Sequence, residues 1–129
     1  MSRTEPVDTP KPLGAYSPLR VVPLGAAKLV FISGITAGNN APHDTAAQAE
    51  LIFARMGELL AAEGGSLAHV TKITTFLTDM RDYALYNAVR NRVFAGAPAL
   101  PASATVGTTQ LVRPEYRIEI EGIAFIPAA

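Results

Sequence analysis

The pattern of apolar and polar residues predicts four or five strands along the chain. Lys28–Gly34 is a short apolar run, and Val70–Thr78 is rich in β-branched residues. Tyr116–Ile126 alternates with the period of two that is typical of a half-buried strand. Shorter strands are expected near Ser17–Val22 and over Ser103–Thr109.

The segment after His43 predicts a first helix. Asp44 or Thr45 begins it, since a short side-chain oxygen satisfies a free N–H of the first turn. Gly64-Gly65 ends it after about Glu63, because glycine adopts the left-handed conformation without strain. The stripe predicted to be buried has a spacing of about 3.6 residues and consists of Ala49, Ile52, Phe53, Met56, Leu59 and Leu60.

A second helix is expected between the third and fourth strands. Asp79 or Asp82 begins it, and it continues to about Phe94. Its buried stripe is predicted to consist of Tyr86, Val89 and Val93.

Proline and glycine mark the connecting segments. Residues 1–13, with three prolines, are predicted to form a flexible arm. Pro23-Leu24-Gly25 is interpreted as a turn, Gly38–His43 as a loop and Gly96–Pro101 as a rigid loop.

The predicted order β-β-α-β-α-β-β indicates a single α+β domain over residues 1–129, with both helices on one face of the sheet. On the last strand, one face is apolar: Ile118, Ile120 and Ala124. The other face mixes charged and apolar side chains: Arg117, Glu119, Glu121, Ile123 and Phe125. Such a mixture suits an oligomer interface that lines a polar cleft.

The composition of the chain favours some classes of function and argues against others. Hydrophobic residues make up 49% of the 129 residues and charged residues 17%, which favours an oligomer. Lysine plus arginine balances aspartate plus glutamate at 11 each, which argues against a nucleic-acid partner. The chain has no cysteine, and His43 and His69 lack the spacing of a metal site, so no metal is expected. Without a signal peptide or an apolar run of about 18 residues, we expect a cytoplasmic protein with no membrane partner.

Six short stretches carry a family resemblance: Pro12–Ser17, Phe31–Gly34, Val70–Met80, Tyr86–Val89, Pro101–Ala102 and Arg117–Glu121. Together, and in this order, they resemble the motifs of the Rid (YjgF/YER057c/UK114) family over roughly residues 12–126. The resemblance implies a chorismate-mutase-like fold and a homotrimer with a barrel-like core of sheets, outer helices and small-molecule clefts between subunits.

The resemblance also implies a reaction, the hydrolysis of 2-imino acids to 2-keto acids and ammonia without a cofactor. In the family an arginine binds the substrate carboxylate through two hydrogen bonds. A glutamate and backbone groups position the attacking water. Glu121 occupies the place of that glutamate and is the expected catalytic residue. The implied substrate-binding positions are Tyr16, Ser33, Gly34, Asn87, Ser103 and Thr105.

The chain departs from the family at the signature arginine. Ser103 stands in its place, and a hydroxyl cannot form a charged, two-pronged contact with a carboxylate. Two lost charge-assisted hydrogen bonds lower affinity or rate by a factor on the order of 10²–10⁴. This favours imines without a carboxylate, unless Arg20 or, as a second candidate, Arg113 replaces the missing side chain.

Alternatives stay open at this stage. A non-catalytic metabolite-binding trimer is favoured by Ser103. Ribonuclease activity or inhibition of translation, also ascribed to the family, is disfavoured by the neutral charge balance and the lack of a catalytic histidine pair. Asn87 has a structural alternative as well, in which it holds a neighbouring loop.

Overall fold

Residues 14–129, which a computed structural model describes, form a five-stranded sheet and two α-helices. The elements in chain order are β1 (Leu19–Leu24), β2 (Ala27–Ile35), α1 (Thr45–Ala61), β3 (Val70–Leu77), α2 (Tyr83–Val93), β4 (Ala102–Gly107) and β5 (Ile118–Ile126). Single-turn 3-10 helices at Leu67–His69 and Met80–Asp82 precede β3 and α2. The predicted order of strands and helices is confirmed, whereas the arm predicted at residues 1–13 lies outside the described residues.

The strands lie in the order β1-β2-β5-β3-β4. All neighbours are antiparallel except β3 and β4, which are parallel because α2 carries the chain back across the sheet between them. The last strand of the chain therefore occupies the centre of the sheet, and among the described residues β1 and β4 form its two edges.

One face of the sheet is covered by both helices, as the sequence predicts. Alternate residues of the central strands are almost fully buried against them: Val30, Ile32, Ile73, Leu77, Ile118 and Ile120. The alternation of β5 is confirmed, since Ile118, Ile120 and Ala124 are each 0% exposed. We call this the covered face.

The opposite face, which we call the open face, carries no helix of residues 14–129. Phe31 is 41% exposed and Phe125 is 43% exposed. The strand register places Leu29 opposite Phe125 and Phe31 opposite Ile123, so these four side chains are neighbours. We call them the apolar patch.

Helix α1 follows the predicted pattern closely. Asp44 caps it by accepting a hydrogen bond of 3.3 Å from the N–H of Ala46. All six residues of the predicted stripe are buried. The helix ends at Ala61, two residues before the predicted end, and Gly64 then adopts a φ of +83°. No helix of residues 14–129 has both the length and the apolar character required to cross a membrane.

Two expectations on the connections need correction. Pro23 and Leu24 belong to β1, and the turn begins only at Gly25, which has a φ of +64°. Proline is tolerated there because β1 is an edge strand, where a missing N–H removes no bond to a second neighbour. Of the two residues predicted to begin the second helix, Asp79 instead caps the 3-10 turn before α2. Asp82 is confirmed as the N-cap residue of α2, which begins at Tyr83, although its side chain makes no capping hydrogen bond.

Candidate functional site

Charged and polar side chains surround a depression on the open face. The depression has a volume of about 280 Å³. Its polar lining comes from β1, β2, β3 and β5: Arg20, Ser33, Lys72, Thr74 and Glu121. We call Arg20, Ser33, Lys72 and Glu121 the open-face cluster. Two cations beside an exposed carboxylate can bind a small polar molecule and exchange protons with it.

Strand register explains why Glu121 faces this depression. Glu121 lies opposite Thr74 on β3, and two residues further along β5 Ile123 lies opposite Lys72. Residues two apart on a strand share a face. The predicted catalytic residue is therefore exposed on the open face, next to Lys72 and beside the apolar patch.

Ser33 fastens the segment before β1 to this cluster. Its hydroxyl donates a hydrogen bond of 2.6 Å to the carbonyl of Ser17, and its N–H donates one of 3.0 Å to the carbonyl of Pro18. Tyr16, directly before this segment, is 52% exposed. Two of the predicted binding residues, Tyr16 and Ser33, are thus linked through adjacent backbone.

Gly34 makes room for a second carboxylate. A register shift between Ile32 and Ile35 inserts one extra residue into β2 at this point. The side chain of Glu119 lies over Gly34, and a Cβ placed there would come within 2.8 Å of the Glu119 carboxyl carbon. Any side chain at this position would therefore displace Glu119.

Glu119 also has an altered acidity. Burial raises the pKa of the Glu119 carboxyl above its ordinary value, and the negative charge of Glu121 contributes a second, smaller rise. A carboxyl that keeps its proton to higher pH beside a second carboxylate is a pairing suited to acid–base chemistry.

A second polar cluster lies at the β4 edge, on the covered face. The Arg90 guanidinium donates hydrogen bonds of 2.8 Å to the Ser103 hydroxyl, 2.6 Å to Asn87 Oδ1 and 2.9 Å to the Tyr83 hydroxyl. It also lies 5.0 Å from the ring centre of Tyr86. We call Tyr83, Asn87, Arg90 and Ser103 the edge cluster.

The predicted site residues are thus divided between two places. Ser103 lies opposite Ile73 and Thr105 opposite Thr75, so both side chains are on the covered face. Glu121, Ser33 and Arg20 are on the open face. A single chain therefore does not bring Ser103 and Glu121 into one cleft.

The arginine expected near Ser103 is neither of the two that the sequence suggested. Arg20 lines the depression on the open face, and Arg113 is exposed in the connection between β4 and β5. Arg90, which sequence reasoning missed, is the arginine that contacts Ser103. The sequence offered one indication of Arg90: it lies three residues after Asn87, a predicted binding residue, so the two side chains share a face of α2.

A larger depression, of about 360 Å³, lies beside Asp79 and Arg117. Its charged groups already have partners. The Arg117 guanidinium lies 3.1 Å from Asp82 Oδ2 and donates to the Thr45 hydroxyl at 3.0 Å. The Arg81 guanidinium beside Asp79 lowers the pKa of that carboxyl to about 2. The contacts of Arg117 tie the start of β5 and the turn before α2 to the start of α1, and the Arg81–Asp79 pair lies within that turn, so we assign both a structural role.

The two histidines do not join either cluster. His69 Nδ1 accepts a hydrogen bond of 3.0 Å from the N–H of Ser66 and so caps the 3-10 turn before β3. His43 is exposed in the loop before α1. Within the described part of the chain, no three His, Cys, Asp or Glu side chains are grouped so that they could hold a metal ion.

Comparison with known proteins extends these observations. The family described as Endoribonuclease L-PSP matches residues 7–126. Protein DfrA of Myxococcus xanthus is 40% identical over 120 residues, covering 89% of this chain and 88% of DfrA. TdcF of Escherichia coli K12, whose name describes it provisionally as a reactive intermediate deaminase, is 31% identical over 92% of this chain and 94% of TdcF.

Solved structures share the fold. The structure of Escherichia coli TdcF with bound serine matches with a TM-score of 0.80 and 28% identity, covering 98% of this chain and 99% of that one. The structure of the Escherichia coli YjgF gene product matches with a TM-score of 0.79 and 29% identity, over 95% and 94% of the two chains. The chain therefore belongs to the Endoribonuclease L-PSP family, that of the Rid (YjgF/YER057c/UK114) proteins.

Proposed function

We propose that this protein is a cofactor-free hydrolytic deaminase of small imine or enamine metabolites. The observation that carries the proposal is the position of Glu121, exposed beside a depression of about 280 Å³ that Lys72 and Arg20 also line. Membership of the family supports it, as does the provisional naming of TdcF as a reactive intermediate deaminase. The volume of the depression and its charged lining support a small polar molecule as the ligand.

We place the complete site between copies of the chain, in a homotrimer. The open-face cluster and the edge cluster lie on opposite faces of one sheet, so a second copy is needed to bring them together. The apolar patch supports this arrangement, because Phe31 and Phe125, each more than 40% exposed, would gain burial against a neighbour. The exposed β4 edge carries Ser103 and is suited to meet that surface.

The proposed chemistry is the addition of water to a C=N bond. Glu121 accepts a proton from the water as its oxygen bonds to the imine carbon, and it passes this proton to the nitrogen to give a carbinolamine. Glu121 then takes the hydroxyl proton of the carbinolamine and delivers it to the nitrogen as the C–N bond breaks, which leaves a carbonyl compound and ammonia. Glu119, with its raised pKa, is suited to hold a proton nearby.

The test is hydrolysis of 2-iminopropanoate, generated in situ and followed as pyruvate and ammonia. Glu121→Gln is expected to lower kcat/KM by about 10²-fold or more, because the amide cannot accept the proton. Glu58→Gln is the matched control, since Glu58 is an exposed glutamate of α1, and it is expected to retain wild-type activity. Light scattering should show the same trimer mass for all three proteins. Unchanged turnover in Glu121→Gln would remove the catalytic role.

A second candidate function is binding without catalysis. It is favoured by the hydroxyl of Ser103, which cannot by itself hold a carboxylate, and by the serine-bound structure of TdcF. In that case the wild type consumes the imine no faster than buffer does but still binds small metabolites. Ribonuclease activity has less support, because 11 basic residues are balanced by 11 acidic ones and offer no excess charge to a phosphate backbone.

A further inference from the structure

We infer that Arg90 is the residue that binds a carboxylate of the ligand, so that the substrates are small carboxylates and not uncharged imines. The inference rests on the proposed function for the location of the site. The cation comes from helix α2 and not from strand β4. Four properties of Arg90 carry the argument: its missing counter-ion, its fixed position, its unused donors and its neighbour at position 103.

Arg90 has no counter-ion within residues 14–129. Three other arginines of this region each pair with a carboxylate: Arg81 with Asp79, Arg92 with Glu50 and Arg117 with Asp82. The recorded partners of Arg90 are all neutral oxygens, from Ser103, Asn87 and Tyr83. A partly buried positive charge whose neighbours are neutral is stabilised by an incoming anion.

The guanidinium is also held in place before any ligand arrives. Its three hydrogen bonds fix its plane, and the rings of Tyr83 and Tyr86 lie 5.8 Å and 5.0 Å from its central carbon. Arg20 and Arg113, by contrast, are exposed and have no recorded side-chain hydrogen bond. A preorganised cation loses less side-chain entropy on binding, which favours Arg90 over both.

Arg90 retains capacity for a ligand. A guanidinium has five N–H donors, and the three recorded bonds leave two of them available. The acceptors now in place are hydroxyl and amide oxygens. A carboxylate brings a negative charge and can accept two parallel hydrogen bonds from one guanidinium, so it can also displace one of them.

The position of Arg90 relative to Ser103 connects it to the site. Its Nη1 lies 2.8 Å from the hydroxyl of Ser103, so the positive charge stands beside the very residue where the family resemblance implies an arginine. Within residues 14–129, Ser103 belongs to an edge strand, β4, which leaves part of its backbone N–H groups without a partner from this region. A carboxylate at this edge would meet a cation and backbone donors together. The loss of the arginine at position 103 is thus compensated from the adjacent helix.

The test measures binding, which does not require turnover. Pyruvate is the probe, pyruvamide is its uncharged match, and both affinities are measured by titration calorimetry on the full chain. Arg90→Gln is expected to weaken pyruvate binding about 10- to 100-fold and to leave pyruvamide binding unchanged. Arg92→Gln, which removes an exposed arginine of the same helix, is expected to leave both unchanged.

Two further variants distinguish the loss of the cation from a folding defect. Arg90→Lys retains the charge but not the planar group, and it should keep part of the pyruvate affinity. Adding Ser103→Arg to Arg90→Gln should restore pyruvate binding, because the new guanidinium reaches the same place from β4. Equal pyruvate affinity in Arg90→Gln and Arg92→Gln would overturn the inference, and so would a wild type that shows no saturable pyruvate binding.

The outcomes separate this inference from the proposed function. If the wild type binds pyruvate through Arg90 but hydrolyses no imine, the carboxylate site is supported and the proposed deaminase activity is excluded. If Arg90→Gln hydrolyses 2-iminopropanoate as well as the wild type does, the deaminase activity is supported and the role of Arg90 is excluded.

Discussion

The two faces of the sheet use the same alternating strands for different purposes. On the covered face, Val30, Ile73 and Ile120 are each 0% exposed and pack against both helices. On the open face, the same strands present the apolar patch next to Glu121 and Lys72. The covered face is packed within one chain, whereas the apolar patch of the open face stays exposed, and we propose that a second copy covers it. Stability and function are therefore expected to respond to different substitutions.

The largest effect is expected on the covered face. Phe53 is 1% exposed, and its ring packs edge-on against Phe94 with centroids 5.5 Å apart. Phe53→Ala is expected to lower the free energy of unfolding by about 3–5 kcal/mol, through lost burial and the cavity left behind. Urea unfolding at a fixed protein concentration measures this loss. A smaller loss of unfolding free energy than that caused by Phe31→Lys on the open face would contradict this expectation.

The next effect is expected on the open face, on association. Phe31→Lys removes an aromatic ring from the apolar patch, and burial of such a ring is worth about 1.5–3 kcal/mol. We expect the proposed trimer to dissociate towards the monomer mass of 13.6 kDa, as measured by light scattering over a dilution series. Leu85→Lys is the control, because Leu85 is 50% exposed on helix α2, which packs on the opposite side of the sheet. A trimer of Phe31→Lys as stable as the control would show that the open face is not the interface.

A smaller effect is expected from a buried hydroxyl pair on the covered face. Thr75 Oγ1 and the Tyr86 hydroxyl lie 2.6 Å apart, and both residues are 0% exposed. Thr75→Val leaves the tyrosine hydroxyl without this partner and is expected to cost about 1–3 kcal/mol of unfolding free energy. Thr71→Val, at an exposed position of the same strand, is expected to change it by less than about 0.5 kcal/mol. Equal costs would mean that the pair contributes nothing specific.

The smallest effect is expected at Glu119 and depends on pH. Burial and then the charge of Glu121 raise the pKa of Glu119, so the folded chain holds this proton more tightly than the unfolded chain does. The resulting stabilisation is present at low pH and is lost as the pH rises through the raised pKa. Glu119→Gln removes the cost of ionisation and is expected to raise Tm by about 1–3 °C at pH 8 relative to wild type, but not at pH 4. A difference that is the same at both pH values, or that Glu58→Gln reproduces, would contradict this assignment.

Structural features that depend on the local spacing of apolar residues could be predicted from the sequence. The buried stripe of α1 and the alternation of β5 depend only on the spacing of apolar residues, and both are confirmed. The cap at Asp44 is a local contact of the same kind. The turn assigned to Pro23-Leu24-Gly25 was wrong because proline is compatible with a turn and with an edge strand, and only the order of strands distinguishes the two.

The geometry of the site could not be predicted in the same way. The separation of Ser103 from Glu121 depends on the parallel register of β3 with β4, which places Ser103 opposite Ile73 on the covered face. The approach of Arg90 to Ser103 depends on how far a long side chain of α2 extends across that edge. Both are tertiary contacts, so residue spacing along the chain gives only a partial indication of them.

The proline in β1 has a consequence for self-assembly. An open sheet edge is a template for another strand, and repeated addition at both edges produces fibrils. Pro23 offers no N–H within β1, so this edge is a poor template, whereas β4 contains no proline and has a regular backbone. Within residues 14–129, the sheet therefore has one edge that can accept a further strand and one edge that disfavours it. Strand addition at β4 would not be matched by addition at β1, and this asymmetry favours closed assemblies over continuous growth.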